Sequence, residues 1–202
     1  MPWDWKRDLK DLFMTPSDVV VEVKVPPLQY LTVQGQGDFL GSGVFRVSAE
    51  ALLALSRIIR AKVRELDPSK DFRVGPLQAF LWNKKRDSIW PHARDDWAWK
   101  AMVMQPSFVD QACLEDAIAQ VRKKISNPLV EEAVLETIEE GRSVQILYKG
   151  PYEKRKEKIE MLCKCIKDKG SLPSQGHHEI YLRYPGNASG KGTMTILRVA
   201  FQ

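Results

Sequence analysis

The residues with most chemical potential are gathered in HHEIYLRY, residues 177–184. Strand alternation sends His177, Glu179, Tyr181 and Arg183 one way and His178, Ile180, Leu182 and Tyr184 the other. A glutamate beside histidines offers metal ligation, proton relay, or a charge that holds a cation. Metal ligation is disfavoured, because His177 and His178 diverge and cannot share one ion. His92 is remote and no H-E-x-x-H spacing exists, so neither a metal nor another cofactor is expected. Cys113, Cys163 and Cys165 lack C-x-x-C spacing and read as small core residues. Gly35 and Gly37 fit strand-end turns rather than a phosphate loop, and no serine sits in a G-x-S-x-G elbow.

Glu179 remains as the leading candidate. Its apolar neighbours Ile180 and Leu182 are expected to meet the helices, which would turn Glu179 and Tyr181 towards a groove on the other side. A carboxylate partly desolvated among aromatic rings should have a raised pKa, and could hold a cation or activate water. Tyr148 and Tyr152 flank Gly150–Pro151. A phenol at Tyr148 could donate to a ligand carbonyl or polarise a leaving group. Trp97 and Trp99 share one face of a strand and are candidate walls, since a cation over an aromatic ring gains ~0.5–2 kcal/mol. Trp90, in a charged loop, could lid the site, and His178 could support the edge of the cleft.

The elements that must position these groups follow from periodicity. Residues 19–25 and 30–38 read as strands. Leu52, Leu55, Ile59 and Val63 mark an amphipathic helix with Ser48 as a plausible N-cap. Strands follow at 76–82 and 97–105, then a helix carrying Leu114, Ile118, Val121 and Ile125 that starts near Val109 or Asp110. Strands at 130–138 and 143–150 precede a helix over 151–170 whose apolar edge is Ile159, Leu162 and Ile166. HHEIYLRY and TMTILRVAF (193–201) close the chain across the loop PGNASGKG.

An internal repeat orders these pieces. LTVQGQGD (31–38) aligns with ILYKGPYE (146–153), Gly35 on Gly150, and PLQAFLWN (76–83) aligns with GHHEIYLR (176–183). Ala79 then stands where the second half has Glu179, and Val33 where it has Tyr148. The expectation is a single α+β domain over 1–202: a first repeat at about 19–105, a linking helix at about 109–126 and a second repeat at about 130–202. Each repeat is a β-α-β-β unit. Together they should form pseudo-two-fold-related antiparallel sheets, with helices on one side and a ligand groove between the repeats.

Composition is that of an ordinary globular chain, with 44% hydrophobic and 28% charged residues. No apolar run approaches the ~18 residues of a membrane span, and MPWDWKRDLKDLF lacks the core of a signal peptide, so a cytoplasmic protein without membrane attachment is expected. Net charge is +5, and residues 149–169 carry eight bases against four acids. Bases and acids interleave there, which reads as a solvated helix face; the rival reading is an interaction surface. No nucleic-acid-binding motif accompanies it, so direct DNA binding is not expected.

Taken in order, DLKDLFMTPS, YLTVQGQGD, WAWKAMVMQPSFV, LETIEEGRSVQILYKGPYEK and HHEIYLRYP resemble the GyrI-like small-molecule-binding domain family, in its stand-alone branch. The resemblance spans about residue 5 to residue 199. It implies a groove between duplicated halves that takes flat, aromatic, often cationic compounds, with Glu179 at the position of the ligand-meeting acid. It also implies, for some stand-alone members, hydrolysis of cyclopropane-bearing natural products. Two stretches depart from the family's pattern: Gly37-Asp38-Phe39-Leu40 stands where G-D-P-N is usual, and Arg183-Tyr184-Pro185-Gly186-Asn187 where S-D-P-R-R is.

The expected function is therefore binding of a hydrophobic, aromatic, amphipathic or cationic small molecule. Glu179 would supply the charge, and Tyr148, Tyr152, Tyr181, Trp97, Trp99 and His178 would line the site. One alternative is a hydrolase of electrophilic xenobiotics in which Glu179 activates water and Tyr148 assists. Another is an interaction or inhibitor protein acting through the basic helix 151–169.

Overall fold

The structure, a computed structural model, describes residues 2–39, 41–183 and 193–202. Eight strands form one antiparallel sheet: β1 (Val21–Val25), β2 (Leu28–Gln36), β3 (Leu77–Asn83), β4 (Trp97–Gln105), β5 (Val134–Ile138), β6 (Gly141–Lys149), β7 (Gly176–Arg183) and β8 (Met194–Ala200), in the order β1-β6-β8-β7-β3-β4-β2-β5. Two short helices, α1 (Trp5–Asp8) and α2 (Lys10–Phe13), precede the sheet. Helix α3 (Val44–Leu66) joins β2 to β3, α4 (Gln111–Arg122) follows β4, and α5 (Arg155–Asp168) joins β6 to β7.

The duplication is written into the pairing. Outward from the central β3–β7 ladder, one half runs β4 then β2, and the other β8 then β6. Ala79 and Glu179 are register partners in that ladder, which places the pseudo-two-fold axis between them. The first strand of each half is exchanged: β1 pairs with β6, and β5 with β2.

This exchange forces the sheet to curl. In a flat sheet β1 and β2 would lie six strand spacings apart, ~29 Å. Only Pro26–Pro27 separates them, and the step from Val25 to Leu28 reaches at most ~10 Å. The sheet therefore wraps until both corners meet, and Val25, Leu28 and Ile138 join one cluster inside the curve.

Two apolar layers result. On the outer face, Leu52, Leu55 and Ile59 of α3 cover Leu31, Ala79, Leu81 and Val103. Ile159, Leu162 and Ile166 of α5 cover Val144, Ile146, Leu197 and Val199 on the same face. On the inner face, Trp5, Leu12 and Phe13 fill the hollow against Tyr30, Met102, Ile180 and Ile196. The long helices thus share one side, as expected, while α1 and α2 cover the other. Here the sequence reading is corrected: Ile180 meets the short N-terminal helices, and it is Glu179 and Tyr181 that face α3 and α5. Both neighbours of an alternating strand were buried, so polarity could not say which face the long helices take.

Local starts also differ. Helix α3 begins a turn early, capped by Gly43 at φ 74°, which brings Phe45 into the core. Ser48 is inside that helix, its hydroxyl donating to the Val44 carbonyl at 3.0 Å. Helix α4 is capped by Asp110, and Ile125 lies past its end. Residues 152–154 form a 3₁₀ turn before α5, and residues 128–130 another before β5. The loop PGNASGKG lies outside the described residues.

Candidate functional site

Phe45 from the first turn of α3 and Arg155 from the first turn of α5 both reach Tyr181, and Glu179 beside it is 0% exposed. Helix α5 aims Arg155 at it. Arg155 is only 3% exposed, because it continues the buried stripe of Ile159, Leu162 and Ile166 backward by one turn. Its Nη1 donates to Glu179 Oε2 and its Nη2 to Thr195 Oγ1 at 3.1 Å. The guanidinium carbon stands 4.9 Å from the ring centre of Tyr152 and 5.6 Å from that of Tyr181. A cation between two aromatic rings with a carboxylate counter-ion is a strongly favoured arrangement when desolvated.

An aromatic box surrounds this pair. Phe45 meets Trp99 edge-on at 5.3 Å and Tyr181 at 6.5 Å. Phe39 touches Phe45, Trp97 and Tyr152 at 5.5–5.6 Å. Trp90 stacks on His177 at 5.5 Å with only 13° between planes, and also meets Trp97 and Tyr152. Trp90, half-buried, thus closes the outer side of the box, as a lid would.

Several polar atoms in the box are buried without a hydrogen-bond partner among the described residues: Glu179 Oε1, both ring nitrogens of His177, the Tyr152 hydroxyl, Arg155 Nε and Trp99 Nε1. His177 Nε2 lies 3.4 Å from Glu179 Oε1, but without hydrogen-bond alignment. Buried polar atoms are normally satisfied, which sets this group apart from the rest of the core.

Electrostatics follow from the pairing. Burial pushes the Glu179 carboxyl up, but the Arg155 charge and then His177 outweigh it, leaving the pKa below the usual carboxylate range. The expected rise is therefore reversed, because the chain supplies its own counter-ion. Burial pushes the Arg155 guanidinium down, and Glu179 more than restores it. Burial, with the Glu179 charge next, pushes the Tyr181 and Tyr152 phenols up, so both remain protonated donors.

Of the residues expected at the site, Glu179, Tyr181, Tyr152, Trp97 and Trp99 come together here. Tyr148 stands beside the box: its ring packs with Ile159 and Leu162, and its hydroxyl donates to the Pro151 carbonyl at 2.8 Å. His178 is on the opposite face, its Nδ1 2.9 Å from Glu140 Oε1. That carboxylate also accepts from Arg198 at 3.0 Å, and Arg198 holds Gln145 and the Leu12 carbonyl, so the cluster fastens α2 to the sheet.

Sequence reasoning missed Arg155, Phe39, Phe45 and His177. Arg155 was counted with the basic stripe, yet position 155 falls four residues before Ile159 on the buried edge, and that spacing was a readable signal. Phe39 is the departure from the family pattern after Gly37-Asp38, an apolar ring where a turn residue is usual. Other bases of the stripe pair at the surface: Lys156 with Glu160 at 3.8 Å, Lys164 with Asp168 at 3.7 Å and Lys169 with Glu22 at 2.7 Å.

An open groove of about 940 Å³ crosses the inner face, lined in part by Phe80, Trp82, Lys100, Glu136 and Glu140. Its central charges are already matched, with Lys100 2.7 Å from Glu136, which also accepts from Thr32. Among the described residues no cluster of His, Cys, Asp or Glu is arranged to hold a metal, and no helix is long and apolar enough to cross a membrane.

No family model and no curated protein sequence matches the chain. Solved structures do. An uncharacterized conserved protein from Listeria innocua is 28% identical with a TM-score of 0.86, over 99% of this chain and 100% of that one. A hydrolase from Listeria innocua is 26% identical with a TM-score of 0.85, over 100% of both. This chain shares its whole fold with both. The C-terminal domain of EcmrR, at 14% identity and TM-score 0.52 over 91% of this chain and 97% of that one, shares the fold alone.

Proposed function

We propose that the chain is a GyrI-like small-molecule-binding protein that takes a planar, amphipathic aromatic compound into the box between the first turns of α3 and α5, and hydrolyses an electrophilic one. The observation that carries this reading is Glu179 Oε1 and His177 Nε2, buried 3.4 Å apart within aromatic walls and without an aligned hydrogen bond among the described residues. Likeness to a hydrolase along the whole chain supports the catalytic half.

Glu179 is ionised at neutral pH because Arg155 holds it so. A water lodged against Oε1 and His177 would be oriented with its lone pair towards the ligand. For a cyclopropane conjugated to a carbonyl, the water oxygen bonds to the ring methylene. The strained C–C bond breaks, its electron pair moves into the conjugated carbonyl, and that oxygen takes up the proton that water loses. The protonated phenol of Tyr152, whose hydroxyl has no hydrogen-bond partner among the described residues, is suited to stabilise the developing oxyanion, while Tyr181 hydrogen-bonds Glu179.

The test is incubation with a cyclopropane-bearing alkylator, followed by mass spectrometry. A ring-opened product heavier by one water, formed by the native chain and suppressed in Glu179→Gln, is expected. Product formation undiminished in that variant would remove Glu179 from the chemistry. Unaltered substrate would leave binding alone, read from tryptophan quenching.

A further inference from the structure

We infer that Arg155 itself fills the cation position of the box, so that the site selects an uncharged planar compound bearing a carbonyl-type acceptor over a lipophilic cation. The inference rests on the proposed use of the box and specifies its ligand. A cation bound among aromatic rings needs exposed π faces and a free carboxylate. Here the guanidinium already lies against Tyr152 and Tyr181 and already holds Glu179 Oε2. Arg155 and Glu179 sum to zero charge, so no net field draws in a second cation.

A ligand cation would instead meet the guanidinium. That is a like-charge contact, and the carboxylate that would offset it is already held by Arg155. An acceptor gains where a cation loses: Arg155 Nε is buried, carries an N–H and lacks a partner among the described residues. Glu179 and Thr195 take one N–H each from Nη1 and Nη2, which leaves Nε as the guanidinium nitrogen with no bond among the described residues and a donor that a ligand oxygen can satisfy. A buried donor left unpaired costs free energy that a carbonyl recovers on binding. Arg155 is thus a specificity-determining residue: it gives a polarising donor and forbids the cation that the aromatic walls would otherwise attract.

Two near-isosteric probes separate these cases: N-methylacridone, which is neutral with one carbonyl, and N-methylacridinium, which is a cation. Each is titrated into the full-length chain and followed by tryptophan fluorescence. The native protein should bind N-methylacridone at least about tenfold more tightly, equivalent to ~1.4 kcal/mol. In Arg155→Met the preference should reverse, since Glu179 is released to the cation. In the double variant Arg155→Met/Glu179→Gln the preference for the cation should vanish.

A native protein that prefers N-methylacridinium overturns the inference, as does an Arg155→Met variant with an unchanged ratio. If both probes bind equally, only this inference falls and the planar-ligand reading stands. If neither binds the native chain, the reading of the box falls and takes the inference with it. Should the single variant not fold, the ratio measured on the native protein decides.

Discussion

Ala79 and Glu179 face each other in register across the β3–β7 ladder, and they occupy the same position of the two repeats. A duplicated fold has here been made asymmetric by one carboxylate placed on its axis. Ala79 is fully buried and small, and its partner position lies ~5 Å away between β-carbons. The alanine therefore leaves room for Glu179, Arg155 and the rings around them.

Ala79→Glu would restore the symmetry and should be poorly tolerated. It places a second carboxylate beside the first, and the two would have to share the Arg155 guanidinium. Breaking or overloading a buried ion pair costs ~3–5 kcal/mol. The denaturant midpoint should fall accordingly, whereas Ala79→Ser should fall much less.

Gly35 is expected to be irreplaceable for a steric reason. A β-carbon at that position would overlap the indole of Trp99, which is buried and held edge-on by Phe45. Backbone strain is not involved. Gly35→Ala should destabilise by about 1–3 kcal/mol through overpacking. Pairing it with Trp99→Phe, which shortens the ring, should recover part of that loss, and a double-mutant cycle in urea measures it.

Acid should loosen the inner face. Burial pushes Glu140 up, but His178 and Arg198 overcome this and hold its carboxyl at about 2, against an ordinary 4.5. The unfolded chain therefore binds the extra proton between those values. The stabilisation is full above about 4.5 and is lost as pH falls towards 2, a change of about 3 kcal/mol. Glu140→Gln should be less stable at pH 6 and should show a flatter stability profile across that window, followed by thermal melts.

Trp90 should govern access to the box. It stacks on His177, which is 0% exposed. In the native chain His177 should react slowly with diethyl pyrocarbonate. Trp90→Ala should expose the imidazole and speed its modification several-fold, read by peptide mass spectrometry, while His178 on the other face stays protected. Equal protection of His177 in both proteins would show that Trp90 is not the cover.

The sequence by itself determined the α+β class, the repeat and the alternation that puts Glu179 and Tyr181 together. These are local or near-local properties: strand period, helix stripe and glycine spacing survive in one dimension. It also singled out Trp97, Trp99 and Tyr152 as candidate walls, and the fold gathers all three around the Glu179–Arg155 pair. Only the tertiary structure decided which face of the sheet the long helices cover, because β7 is apolar on the Ile180 side and enclosed on the Glu179 side alike. It alone separated His178 from the site, tied Tyr148 to the Pro151 carbonyl, and brought Arg155 from α5, Phe39 from the loop after β2 and Trp90 from the loop after β3 onto one carboxylate. Ion pairs and ring contacts between residues 24 to 113 positions apart depend on how the halves close over each other, and a charge on a helix looks solvated until that closure buries it.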